Sequence, residues 1–93
     1  MSKLILRFKV MPSDSDVDFK AMEKEVISRI PKDVKLNYKR EEPIAFGLKA
    51  LILDLECEEK DGVSDEIENL ITGSEMVGRA ELIGVSRKSI TVK

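Results

Sequence analysis

The segment EEPIAFGLKALILDLE, Glu41–Glu56, decides how the rest of the chain is read. Its second half is apolar on both sides. Leu51, Leu53 and Leu55 share one face, and Leu48, Ala50, Ile52 and Asp54 share the other. Such two-sided apolarity over about Leu48–Cys57 marks a central strand rather than an edge. The first half is a turn, with Arg40–Pro43 redirecting the chain. Phe46, one of three phenylalanines, lies between that proline turn and Gly47, where the pull of a core is weakest. An aromatic in this position needs a reason.

Working outward, Lys3–Met11 alternates, with Leu4, Leu6, Phe8 and Val10 on one face and Ile5, Arg7 and Lys9 on the other, which predicts a half-buried strand. Pro12 and the run Ser13–Asp16 end it and supply helix N-caps. Phe19, Met22, Val26 and Ile30 then recur at helical spacing, with Asp16 and Asp18 at the positive end and Pro31 as the stop. Val34, Leu36 and Tyr38 alternate with Lys35, Asn37 and Lys39 as a second strand. After the central strand, Gly62 closes an acidic turn and Ser64 is the expected N-cap of a second helix. Val63 and Ile67 are placed for a hydrophobic staple, and Gly73 is the natural stop. A last strand covers roughly Gly78–Val85. The order β-α-β-β-α-β predicts an α+β, ferredoxin-like fold: a four-stranded antiparallel sheet with two helices on one face.

The chain of 93 residues suits one domain, 1–93, since halves would be too small to bury useful cores. A net charge of −2 exerts no global pull on nucleic acid or anionic membrane. Locally, Glu56–Asp61 is acidic, whereas Arg79, Arg87, Lys88 and Lys93 make the C-terminal region basic. The single cysteine, Cys57, excludes an internal disulfide and fits a reducing compartment. No segment approaches the ~20 apolar residues of a membrane span. The expectation is a soluble, cytoplasmic protein.

Histidine is absent, which removes serine–His and cysteine–His catalysis and weakens the case for a metal. Neither GxxxxGK[ST] nor GxGxxG occurs, so the chain has no phosphate cradle of its own. RNA binding by stacking needs aromatics on an open sheet face. Phe8 and Tyr38 are read instead as core residues of their strands. Acylphosphatase-like catalysis on this fold needs an arginine in a phosphate-cradling loop after the first strand, where Met11–Asp16 carries acids. What remains is a binding role without a cofactor.

PIAFGLKAL, Pro43–Leu51, resembles the signature segment of the translation elongation factor 1-beta family, whose members show Pro-Ile-Ala/Gly-Phe-Gly before an apolar strand. KVMP, Lys9–Pro12, and DVDF, Asp16–Phe19, are similar to the family's first strand end and helix start, and the resemblance covers essentially the whole chain. It implies a split βαβ exchange domain of the archaeal kind. The implied function is guanine nucleotide exchange on elongation factor 1-alpha, with the GDP-bound and nucleotide-free GTPase as partner and neither nucleic acid nor membrane bound directly. It further implies that Phe46, presented by Pro43 and Gly47, meets the GTPase. Ungapped comparison with the last strand of eukaryotic relatives sets Lys88, with Arg87 beside it, at a lysine directed toward the GTPase magnesium site. Here Ile90–Lys93 extend beyond that position. The competing expectation is a small-molecule-sensing regulatory domain of the ACT type, which shares this fold and binds ligands near glycine-rich turns at a dimer edge. Gly62, Gly73 and Gly78 supply only isolated glycines for it.

Overall fold

The computed structural model describes residues 3–88. The elements are β1 (Lys3–Pro12), α1 (Phe19–Arg29), β2 (Lys35–Pro43), a 3-10 turn (Ala45–Gly47), β3 (Lys49–Glu58), α2 (Val63–Thr72) and β4 (Val77–Lys88). The sheet order is β2-β3-β1-β4 and every neighbouring pair is antiparallel. This is the ferredoxin-like arrangement expected from periodicity.

The register explains the core. Leu6 faces Leu55, Phe8 faces Leu53 and Val10 faces Leu51 across the two central strands. Their side chains meet Met22 and Val26 of α1 and Ile67 and Ile71 of α2 in one cluster, each at most 1% exposed. Each such burial contributes on the order of 1.5–3 kcal/mol. The second face of β3 is also dry at Ala50 and Ile52, although no helix lies on it. Ile52 is flanked by Lys9 and Arg40, and Ala50 by Glu42. Ion pairs Lys9–Glu42 (3.4 Å) and Arg40–Glu42 (3.5 Å) run above them, so the aliphatic stems of charged residues form the cover.

Several local expectations are corrected. The N-cap of α1 is Asp18, whose carboxylate accepts from the Lys20 amide at 3.1 Å. Ser13–Asp16 instead folds on itself, Asp14 accepting from the Ser15 hydroxyl (3.2 Å) and the Asp16 amide (3.4 Å). The short side chain of aspartate serves either task, and position relative to the first helical turn decides which. In α2 the cap is Gly62, in the left-handed region at φ 75°, and Ser64 lies inside the helix. Asp65 and Glu66 in that first turn complement its dipole.

β2 runs on to Pro43, past the expected turn at Arg40–Pro43, because a proline is tolerated at the end of an edge strand. The larger correction concerns Tyr38. A register shift between Leu36 and Tyr38 inserts Asn37 as an extra residue. Leu36 therefore faces Leu55 on the helix side, while Tyr38 lies opposite Asp54 on the open side and is 48% exposed. A bulge of one residue inverts every later side chain of its strand. Lys39 consequently points toward α1 and pairs with Glu23.

Candidate functional site

The connection from β2 to β3 is built by local backbone chemistry. Pro43 and Lys49 form the last rung between the strands. Beyond it the Ile44 amide donates to the Leu48 carbonyl at 2.8 Å, and the Leu48 amide donates to the Ala45 carbonyl at 3.1 Å. Phe46 occupies the middle of the enclosed 3-10 turn. Gly47 leaves that turn at φ 75°, with open space where a Cβ would sit, so its need for glycine is conformational rather than steric. Pro43 and Gly47 are both exposed. The placement of the Phe46 ring lies outside the described atoms.

The β1–α1 loop lies across a groove from this turn and is itself tied to the start of β4. A groove of about 100 Å³ separates Gly47–Lys49 from the β1–α1 loop, with Asp14, Val17 and Phe19 on its far wall. The Ser13 amide donates to the Met76 carbonyl at 2.8 Å, tying the β1–α1 loop to the start of β4. A Cβ on Gly78 would stand 2.8 Å from the Ser13 Cα and 3.0 Å from the Pro12 carbonyl oxygen, so this approach does require glycine. Lys49 spans the rim, its ammonium 5.8 Å from the centre of the Phe19 ring and 3.1 Å from Glu41 Oε1. Sequence spacing places Phe19 in the apolar stripe of α1 and offers no signal that Lys49 would meet it. Their convergence depends on α1 starting at Phe19 and β3 starting at Lys49, boundaries that periodicity leaves loose.

Arg87 and Lys88 lie elsewhere. Both belong to β4, opposite Leu4 and Lys3 of β1, past the expected strand end at Val85. Arg87 pairs with Glu59 and remains 63% exposed. The Lys88 ammonium is outside the described atoms, as are residues 89–93 that follow it. β1 has ten residues, so at ~3.3 Å per residue its Lys3 end is roughly 30 Å from its Pro12 end. The structure thus brings Pro43, Phe46 and Gly47 together and sets Arg87 and Lys88 at the opposite end of the sheet.

Between the ends, Arg7 makes a two-pronged contact with Asp54, at 2.7 and 2.9 Å. That hydrogen bond holds the Asp54 carboxyl below its ordinary range, against the opposing effect of its burial. The same contact raises the Arg7 guanidinium. Burial pushes the Cys57 thiol up, which suppresses its thiolate and leaves it a small apolar side chain. Arg7, Lys9 and Lys49 are all engaged by carboxylates of this chain. Among the described residues, no group of three or more His, Cys, Asp or Glu side chains is placed to hold a metal ion, and no helix is long and apolar enough to cross a membrane.

A sequence profile of the EF-1 guanine nucleotide exchange domain matches residues 5–87, which takes in the whole Phe46 turn and both central strands. The chain belongs to that family. It is 38% identical over 88 residues to elongation factor 1-beta of Metallosphaera sedula, covering 94% of this chain and 97% of the relative. It is also 38% identical over 86 residues to elongation factor 1-beta of Thermoplasma volcanium, covering 92% and 98%. The corresponding figures for elongation factor 1-beta of Methanothermobacter thermautotrophicus are 38% over 87 residues, covering 94% and 98%. Membership in the EF-1 exchange-domain family supports a nucleotide-exchange role in translation elongation. Arg87 is the last residue of the matched region and Lys88 falls just beyond it.

Proposed function

We propose that the chain acts as one exchange domain on elongation factor 1-alpha, promoting release of GDP and loading of GTP. No covalent bond changes in such a reaction. The obstacle is a GTPase site in which backbone amides, a P-loop lysine and magnesium grip the phosphates. A protein loosens that grip only to the extent that it binds the emptied form better than the occupied one. It therefore needs contacts whose own ordering cost is already met before binding.

The observation that supports this reading is the closed turn around Phe46 inside the family match. Two internal hydrogen bonds, Pro43 at one base and Gly47 at the exit fix its backbone in advance. An aromatic carried on a fixed turn loses little freedom on docking and is a typical interface anchor. Lys88, with Arg87 as its neighbour, is the proposed source of positive charge opposing the magnesium ion. A compact ammonium suits that task better than the broad guanidinium fork. The ACT-type alternative gains nothing from the glycines, since Gly62 and Gly73 cap α2 and Gly78 admits the approach of Pro12 and Ser13.

The test is stopped-flow release of fluorescent GDP from elongation factor 1-alpha. The wild-type chain accelerates release. Phe46→Ala, folded by its thermal midpoint, loses about tenfold or more of that acceleration, as expected for truncating an interface anchor. Equal release with and without the wild-type chain would end the proposal. Lys88→Ala and Arg87→Ala, measured separately, assign the charge: the variant with the larger loss carries it.

A further inference from the structure

We infer that Lys49 is a positioning residue for the Phe46 turn, setting its tilt by linking it to the first turn of α1. The inference rests on the reading of Phe46 as the contact with the GTPase. The two hydrogen bonds between Ile44, Ala45 and Leu48 close the turn on itself. They fix its shape but say nothing of its angle to the rest of the domain. On the side toward the β1–α1 loop there is a groove rather than solid packing, so van der Waals contact does not set that angle either. Lys49 crosses this gap. It is the first residue of β3, directly after the turn, and shares its side of the strand with Leu51, facing the helices. Its ammonium sits 5.8 Å from the Phe19 ring centre, within the range at which a cation is held by an aromatic face. Glu41 of β2 holds the same ammonium at 3.1 Å. Three elements, β2, β3 and α1, are thereby joined through one side chain at the base of the turn.

Phe19 is suited to receive it. The ring is half-buried against the core cluster, so its position is fixed by packing, and it opens helix α1 directly after the Asp18 cap. A lysine acting instead as an electrostatic lure for the partner would need no ring beneath it and would not be spent on an internal carboxylate. Removing the ring while keeping the charge therefore separates the two roles.

The experiment compares Lys49→Met, Lys49→Arg and Phe19→Leu with wild type, using two readouts. In nucleotide release from the GTPase, Lys49→Met and Phe19→Leu each lower the maximal rate about fivefold, and Lys49→Arg, which keeps both contacts, stays within about twofold of wild type. In hydrogen exchange on the chain alone, the Ile44 and Leu48 amides open about tenfold faster in Lys49→Met and Phe19→Leu, while amides of Phe8 and Leu53 keep their protection. A wild-type rate for Phe19→Leu beside a slow Lys49→Met would mean that the ammonium meets the partner directly, and would overturn the inference. So would unchanged Ile44 and Leu48 amides in both variants. Phe46→Ala is measured in parallel: if it retains the wild-type rate, the exchange reading of the turn is what has failed, while the amide measurement still judges the Lys49 tie.

Discussion

At the Pro12 end of β1, backbone contacts close the β2–β3 turn on itself, Ile44 to Leu48, and join the β1–α1 loop to the start of β4, Ser13 to Met76 and Gly78 against Pro12 and Ser13. At the Lys3 end the strands still pair, Lys3 with Glu58 and with Lys88, and the side-chain contact from β4 to the β3–α2 connection is an exposed ion pair, Arg87 with Glu59. Backbone hydrogen bonds and steric closeness are insensitive to salt and fix direction, whereas exposed pairs are weak, screened and permissive of movement. The contrast matches what each end is proposed to present. A rigid aromatic mount benefits from pre-arranged backbone, and a charge offered to a partner benefits from a weak internal pair such as that of Arg87 with Glu59.

The strongest way to break this comparison is at Gly78. Gly78→Val drives side-chain atoms into the Ser13 backbone and should destabilise the fold by about 2–3 kcal/mol, read from denaturant midpoints at constant slope. A near-neutral result would show that the rim is not tightly joined. The comparison sharpens at the two glycines of positive φ, one at each end. Gly47 and Gly62 share φ 75° and open space, so Gly47→Ala and Gly62→Ala should each cost about 1 kcal/mol. Only Gly47→Ala should also slow nucleotide release, because only its turn carries Phe46. Equal slowing by both would trace the effect to stability alone.

Between the ends, the Asp54 carboxyl is held low by Arg7. A group with a depressed folded value contributes stability that is present above its unfolded value and lost as pH falls through the folded one. Asp54→Asn should therefore flatten the acid limb of the stability profile and leave the alkaline limb alone, in an acid titration followed by circular dichroism. Added salt should shrink the difference, since Arg7 is 46% exposed. The smallest effect belongs to the far end: Glu59→Gln should change stability by less than about 0.5 kcal/mol. A larger loss would mean that Arg87 and Glu59 are fastened as firmly as the rim.

Much of this architecture is legible in the sequence because β1 is long and alternating, because β3 is apolar on both faces, and because Met22, Val26, Ile67 and Ile71 recur at helical spacing. What alternation cannot reveal is an inserted residue. Asn37 breaks the period of β2 without a glycine or proline to announce it, and Tyr38 is misassigned in consequence. The caps were misplaced for a related reason: Asp14, Asp16 and Asp18 all offer suitable side chains, and only the position of the first helical turn selects Asp18. Pro43, Phe46 and Gly47 were legible as a unit since they are contiguous. The partnership of Lys49 with Phe19, 30 residues apart in sequence, exists only once β3 and α1 are assembled.

The outward turn of Tyr38 has a practical consequence. The chain contains no tryptophan and only this one tyrosine, so its ultraviolet emission comes from a ring on the bare side of the sheet. Iodide will reach and quench that ring while the protein is still folded. A macromolecule lying across the sheet will shield it, giving an optical reporter of docking that no label has to supply.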